Sequence, residues 1–168
     1  CFTCNGQYNT PASSTLTDGT YSGPSVVDVV NHRLFVADAD RVLVFSLASD
    51  NTLVDFSADY VLGQATFKVA VNTVTASTLG DSQIRGLAYD STNQRLFVSS
   101  QAYNRILVYD VTSITNGESA VNVLGQANFT SSGSGTTSST LKLPFGMDYD
   151  SVGQRLFVAD GNNRRVLI

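Results

Sequence analysis

Three short polar clusters hold the residues best suited to contact a ligand: Asp38-Ala39-Asp40, Gln101-Ala102-Tyr103-Asn104 and Asp160-Gly161-Asn162-Asn163. Together they offer carboxylates, amides and one aromatic ring, groups that suit a protein or glycan surface. Asp and Asn are also ordinary turn residues, because their side chains accept bonds from nearby backbone N–H groups. The carboxylates do not fall in close pairs, so no general acid/base pair stands out and no catalytic residue is assigned. His32 is the one histidine, and a Ser-His-Asp triad would have to use it. Its place in Asn31-His32-Arg33 reads instead as a surface turn. With one histidine and one glutamate, Glu118, the chain offers few metal ligands. No cofactor is expected, although aspartates alone could hold calcium.

Cys1-Phe2-Thr3-Cys4 is the remaining reactive pair. A structural zinc site needs about four ligands, and no second cysteine pair exists. Haem attachment needs a histidine at position 5, which is Asn5. A thioredoxin-like motif needs a helix N-terminus. A local disulfide between Cys1 and Cys4 is the expected role. A crosslink between copies and lipidation of Cys1 are the alternatives.

The elements that must position these residues announce themselves by repetition. Gln94-Arg95-Leu96-Phe97-Val98 recurs as Gln154-Arg155-Leu156-Phe157-Val158 and, more weakly, as His32-Arg33-Leu34-Phe35-Val36. Val61-Leu62-Gly63-Gln64-Ala65 recurs as Val123-Leu124-Gly125-Gln126-Ala127, 62 residues later. A fixed period means a repeat architecture. Each unit is a series of short apolar bursts between polar turns, with no sustained 3.6-residue period, so the chain is expected to be all-β. In the second unit, strands are predicted near 86–90, 95–99, 105–109 and 120–124. Four antiparallel strands per unit make one propeller blade. The predicted organisation is an N-terminal outer strand and Ser/Thr-rich connector at 1–22, then blades at 23–67, 84–129 and 143–168. The last blade lacks its outer strand, so about three blades are present and the ring does not close within one chain.

The composition sets limits on function. The chain has 168 residues, a net charge of −4 and a charged fraction of 14%. Lys68 and Lys142 are its two lysines. Nucleic-acid binding would need a basic stripe, which is missing, so no such partner is expected. No apolar run is long enough to span a membrane as a helix. A first residue of Cys and a Lys-poor, Ser/Thr-rich surface suit an extracellular or cell-surface protein. Asn128-Phe129-Thr130 would be a glycosylation sequon in a source that glycosylates secreted proteins.

Leu143-Pro144-Phe145-Gly146-Met147-Asp148-Tyr149-Asp150, followed by Arg155-Leu156-Phe157-Val158-Ala159-Asp160 and Asn163-Arg164-Arg165-Val166, resembles the NHL repeat. The second unit departs from that pattern, with Ser99-Ser100 in place of Ala-Asp and Arg85 in place of the proline. The first has Gly23-Pro24 in reversed order and a loop two residues shorter. The resemblance implies a β-propeller whose binding sites lie away from the turn that carries His32. It also implies a ring closed by an N-terminal strand that completes the last blade. Phe35, Phe97 and Phe157 read as core or inter-blade packing. Arg41, Arg105 and Arg165 head the third strands, and each is expected to pair with a nearby acid.

The ends suggest how such a chain would be completed. Cys4-Asn5-Gly6-Gln7-Tyr8 aligns with Leu124-Gly125-Gln126-Ala127-Asn128, the outer-strand phrase. The third unit stops at Arg165-Val166-Leu167-Ile168, within its third strand. A bare sheet edge invites another strand. Three readings follow: a piece of a longer propeller, a six-bladed ring of two copies, or a head-to-tail filament. The expected function is structural assembly through donation of the N-terminal strand to the next copy. The alternative is a module that binds protein or glycan, and a metal-dependent lyase or hydrolase stands behind both.

Overall fold

The computed structural model describes residues 23–68, 72–80 and 84–168. The expected disulfide of Cys1 and Cys4 and the assembly strand Cys4, Asn5, Gly6, Gln7 and Tyr8 lie outside the described residues.

Blade one contains β1 (Ser25–Asp28), β2 (Arg33–Asp38), β3 (Arg41–Ser46) and β4 (Tyr60–Leu62). Blade two contains β5 (Leu87–Asp90), β6 (Arg95–Ser100), β7 (Arg105–Asp110) and β8 (Asn122–Leu124). Blade three contains β9 (Pro144–Asp150), β10 (Arg155–Asp160) and β11 (Arg165–Leu167). Each sheet is an antiparallel meander of sequence neighbours, β1-β2-β3-β4, β5-β6-β7-β8 and β9-β10-β11. The register repeats as well: Phe35 lies opposite Val44 and Phe97 opposite Val108. β1 lies against β5 and β5 against β9, so the first strands gather along one side as the innermost layer. The chain is built from β-propeller blades, and among the described residues they do not close into a ring.

Chemistry at the first turn explains why the meander recurs. Asp28 Oδ1 accepts from the N–H groups of Val30 and Asn31, Asp90 Oδ1 from Thr92 and Asn93, and Asp150 Oδ1 from Val152 and Gly153. An aspartate that folds the backbone over itself sets the chain reversal. His32, Gln94 and Gln154 then take the left-handed conformation, with φ near 50° in each. His32 thus sits in the predicted turn, where its Nδ1 lies 2.9 Å from Asn51 Oδ1.

Side-chain alternation along the second strand assigns the two faces of each blade. Leu96 and Val98 pack toward blade one, while Phe97 packs toward blade three. Phe35 meets Tyr89 with ring centroids 5.8 Å apart, and Phe97 stacks on Tyr149 at 5.6 Å. These phenylalanines are therefore inter-blade residues. Two short 3-10 turns, Gln101–Tyr103 and Gly161–Asn163, follow β6 and β10, where sequence patterning indicates plain loops. Each is closed by a left-handed residue, Asn104 or Arg164.

Candidate functional site

The two ends of the blades carry different chemistry. At the end opposite the Asp turns, the arginine that heads the third strand gathers the connecting loops. Arg165 donates from Nε to Asp160 Oδ2 at 2.7 Å and from its terminal nitrogens to the carbonyls of Thr136, Thr137 and Thr140. Arg41 donates from Nε to Asp38 Oδ2 at 2.7 Å and from Nη1 to Phe67 O. Arg105 reaches Phe129, Thr75 and Thr78 carbonyls. The expected arginine–acid pair is thus present at Arg41 and Arg165. It is not formed at Arg105, because Ser100 stands where the other blades have aspartate.

This network engages most of the polar loop residues singled out by sequence. Asp38 and Asp160 are buried beneath their arginines. Asp160 also accepts from Asn163 Nδ2 and from the Lys142 N–H. Burial alone would raise its pKa, and these donors together with Arg165 hold it below the usual carboxylate range. Asn104 accepts from the Leu143 N–H and donates to Ser132 O, so it ties two loops together. The Tyr103 ring lies 5.2 Å from the Arg105 guanidinium. Asn162 is exposed, and Asp40 and Gln101 are partly exposed. Asp38, Asn104, Asp160 and Asn163 thus help to hold the loop end in shape, and Asn162 is its most exposed polar residue among those singled out by sequence.

At the other end a tyrosine from each following blade reaches back to the turn aspartate of the blade before it. Tyr89 donates to Asp28 Oδ2 at 2.7 Å, and Tyr149 donates to Asp90 Oδ2 at 2.9 Å. Burial works to raise the pKa of Asp28, but Arg33, Asn31 and Tyr89 outweigh it and hold it at about 2. Tyr89 is pushed up to about 12, chiefly by burial and then by the bond to Asp28. Beside these bridges lies a cleft of about 440 Å³ between the innermost strands, lined by Val26, Asp28, Leu87, Tyr89, Asp148 and Tyr149. Sequence reasoning missed this cleft. The available signal was Tyr-Asp recurring at Tyr89-Asp90 and Tyr149-Asp150.

Among the described residues, no group of three or more His, Cys, Asp or Glu is placed to hold a metal ion. No helix among them is long and apolar enough to cross a membrane.

No protein-family model matches the sequence, and the comparison with curated proteins finds no match. Solved structures do resemble it. An auxiliary nutrient binding protein from Bacteroides thetaiotaomicron superposes with a TM-score of 0.55 at 15% identity, over 90% of this chain and 38% of that one. The β-propeller domain of Cps50 (Swd1) from Myceliophteria thermophila superposes with a TM-score of 0.47 at 8% identity, over 82% of this chain and 32% of that domain. The chain thus spans about a third of the length of each neighbour. At 15% identity the first likeness is one of fold alone.

Proposed function

We propose that the chain is an extracellular, NHL-like propeller module that works by binding protein, other copies of itself first, rather than by catalysis. The observation that carries this reading is the edge of β11. β3 pairs with β4 and β7 with β8, but among the described residues β11 pairs with β10 alone. Such an edge presents main-chain donors and acceptors that an added strand can use. The outer face of blade three is open as well: Val166 is 62% exposed, whereas Ile106, its counterpart in blade two, is buried against blade three.

The proposed occupant is the N-terminal strand of another copy, Cys4 to Tyr8. It would lie against Val166, Leu167 and Ile168 as Leu62, Val61 and Tyr60 lie against Val42, Leu43 and Val44. The repeat also defines what such a joint lacks. Asp150 would face Val27, the residue that matches Tyr89 and Tyr149 in register, and valine has no hydroxyl to donate. The donated strand must therefore carry the joint. An NHL-like identity is supported by the match of the third repeat, and an extracellular setting by the Lys-poor, Ser/Thr-rich composition. A disulfide between Cys1 and Cys4 would stiffen the donated strand. Binding rather than catalysis is supported by the carboxylates at both blade ends, which are engaged by arginine, amide, tyrosine and backbone partners.

Light scattering tests the reading. The intact chain should form species larger than a monomer, and deletion of residues 1–9 should reduce them to monomers. A monodisperse monomer of the intact chain would sink it. A second reading, a protein- or glycan-binding module, is favoured by the cleft between the innermost strands. Peptide and glycan arrays would separate the ends: Asp148→Ala should abolish a signal from the cleft, and Asn162→Ala one from the loops.

A further inference from the structure

The guanidinium at the head of the third strand holds the same position in all three blades, but its environment differs in one. In blade three, Arg165 Nε–H donates to Asp160 Oδ2 at 2.7 Å. The carboxylate also accepts from Asn163 Nδ2 at 2.8 Å and from the Lys142 N–H at 2.7 Å. In blade one, Arg41 Nε–H donates to Asp38 Oδ2 at 2.7 Å. Blade two keeps the arginine and its carbonyl acceptors. Arg105 Nη1 donates to Phe129 O at 2.5 Å, and Nη2 donates to Thr75 O at 2.9 Å and Thr78 O at 2.7 Å. The last two match the bonds of Arg165 to Thr137 and Thr140.

The carboxylate is not kept. Ser100 takes its place, and its Oγ–H donates to Leu79 O at 2.7 Å. Arg105 Nε–H consequently meets no acceptor, although both Arg105 and Ser100 are fully buried. Arginine keeps its charge in proteins, and a buried charge needs a partner. Carbonyl dipoles and the Tyr103 ring face offset part of that cost. They do not supply the negative charge that the flanking blades place at Nε.

Exchanging aspartate for serine removes two heavy atoms at this point. The volume released is on the order of that of one water molecule, which also suits a halide ion. A second donor is in position. Gly80 corresponds to Lys142, because Leu79 packs on Gly63 as Leu141 packs on Gly125. By that correspondence the Gly80 N–H is the counterpart of the Lys142 N–H, which donates to the Asp160 carboxylate. Tyr103, which replaces Asn163, packs its ring against Gly80 and closes that side. We propose that blade two binds a small monovalent anion of chloride size between Arg105 Nε–H and the Gly80 N–H, in place of the carboxylate that Asp38 and Asp160 supply in blades one and three. The ion neutralises the guanidinium and ties the stability of blade two to halide concentration, because a ligand that binds only the folded state stabilises it.

The test is thermal unfolding of the full chain at constant ionic strength, with sodium gluconate replaced stepwise by sodium chloride or bromide. The melting temperature should rise with halide by about 2–4 °C or more and then saturate. In Ser100→Asp, where the carboxylate is restored, it should start higher in gluconate and not respond to halide. Crystals of the unaltered chain soaked in bromide should show an anomalous peak beside Arg105 Nε, and this readout stands if Ser100→Asp fails to fold. The proposal is overturned if chloride and gluconate give the same melting temperature, or if Ser100→Asp keeps the halide response. A water on Nε with no bromide peak overturns it too, as does a bromide peak without any melting response, which would mark an adventitious ion only.

Discussion

The seam between blades one and two and the seam between blades two and three are made from the same repeated phrase, yet they are not packed alike. The first buries Phe35, Val44, Leu62, Ile84, Leu96, Leu107 and Tyr109 in one continuous cluster. The second buries Ile106, Leu141 and Val158, with Phe97, Met147 and Leu156 only partly covered. A single connection accounts for much of the difference. The segment between β7 and β8 reaches back over blade one: the Gly117 N–H donates to Val61 O at 3.0 Å, and Asn116 Oδ1 accepts from the Val61 N–H at 2.9 Å. Val111 and Ala120 of that segment join the first cluster. Among the described residues, no such segment covers blade two. A repeat thus fixes the strands of a blade, while the seal between two blades depends on what the following connection does.

The largest test of this contrast is a matched pair of truncations. Leu96→Ala should cost about 2–5 kcal/mol, because Leu96 is fully buried and its loss leaves a cavity. Leu156→Ala, at the same position of blade three, should cost about 1–2 kcal/mol, because less apolar surface leaves water there. Urea unfolding of both variants measures the difference, and equal midpoints would break the contrast.

Acid should act next, and it should act on the first seam. Asp28 is held at about 2, below its reference value of 3.8, so its ionised form stabilises the fold above pH ~4. That stability, about 2 kcal/mol, should be lost as the pH falls from ~4 toward 2. In Asp28→Asn the stability should be lower at neutral pH and its slope over that range shallower, as read by denaturant titration at each pH. The tyrosine bridges come third. Tyr89→Phe should cost about 1–2 kcal/mol and Tyr149→Phe about half as much, because Tyr89 packs against the large buried cluster of the first seam and Tyr149 lies on the more open second seam. The smallest effect is expected at Arg155, whose pair with Asp150 is largely exposed. Arg155→Gln should shift stability by no more than about 0.5–1 kcal/mol. A larger loss would mean that the outer face of blade three is covered in solution.

Much of the fold was readable in the residues. Alternation in Arg-Leu-Phe-Val gives a strand with two distinct faces, and Asp two to three residues before a reversal gives the turn. Those are local rules, and they held in each blade. The bridges from Tyr89 to Asp28 and Tyr149 to Asp90 were not readable, because they join residues about one repeat apart that become neighbours only when two blades stack. The loop residues show the same limit. Asp38, Asn104, Asp160 and Asn163 look available in sequence, yet each binds a loop or an arginine that packing brings to it. Ser100 was visible as a departure from the repeat. Its consequence was not, because the partnerless Arg105 Nε matters only once Arg105 is known to be buried.

The central claim is that the edge of β11 receives a strand from another copy. Amide hydrogen exchange at Val166 and Ile168, the counterparts of Val42 and Val44 that face β4 in blade one, tests it most directly across a range of protein concentrations. Protection should be weak in dilute solution, rise with concentration, and fall back when residues 1–9 are deleted. Protection that does not change with concentration in the intact chain would contradict the claim.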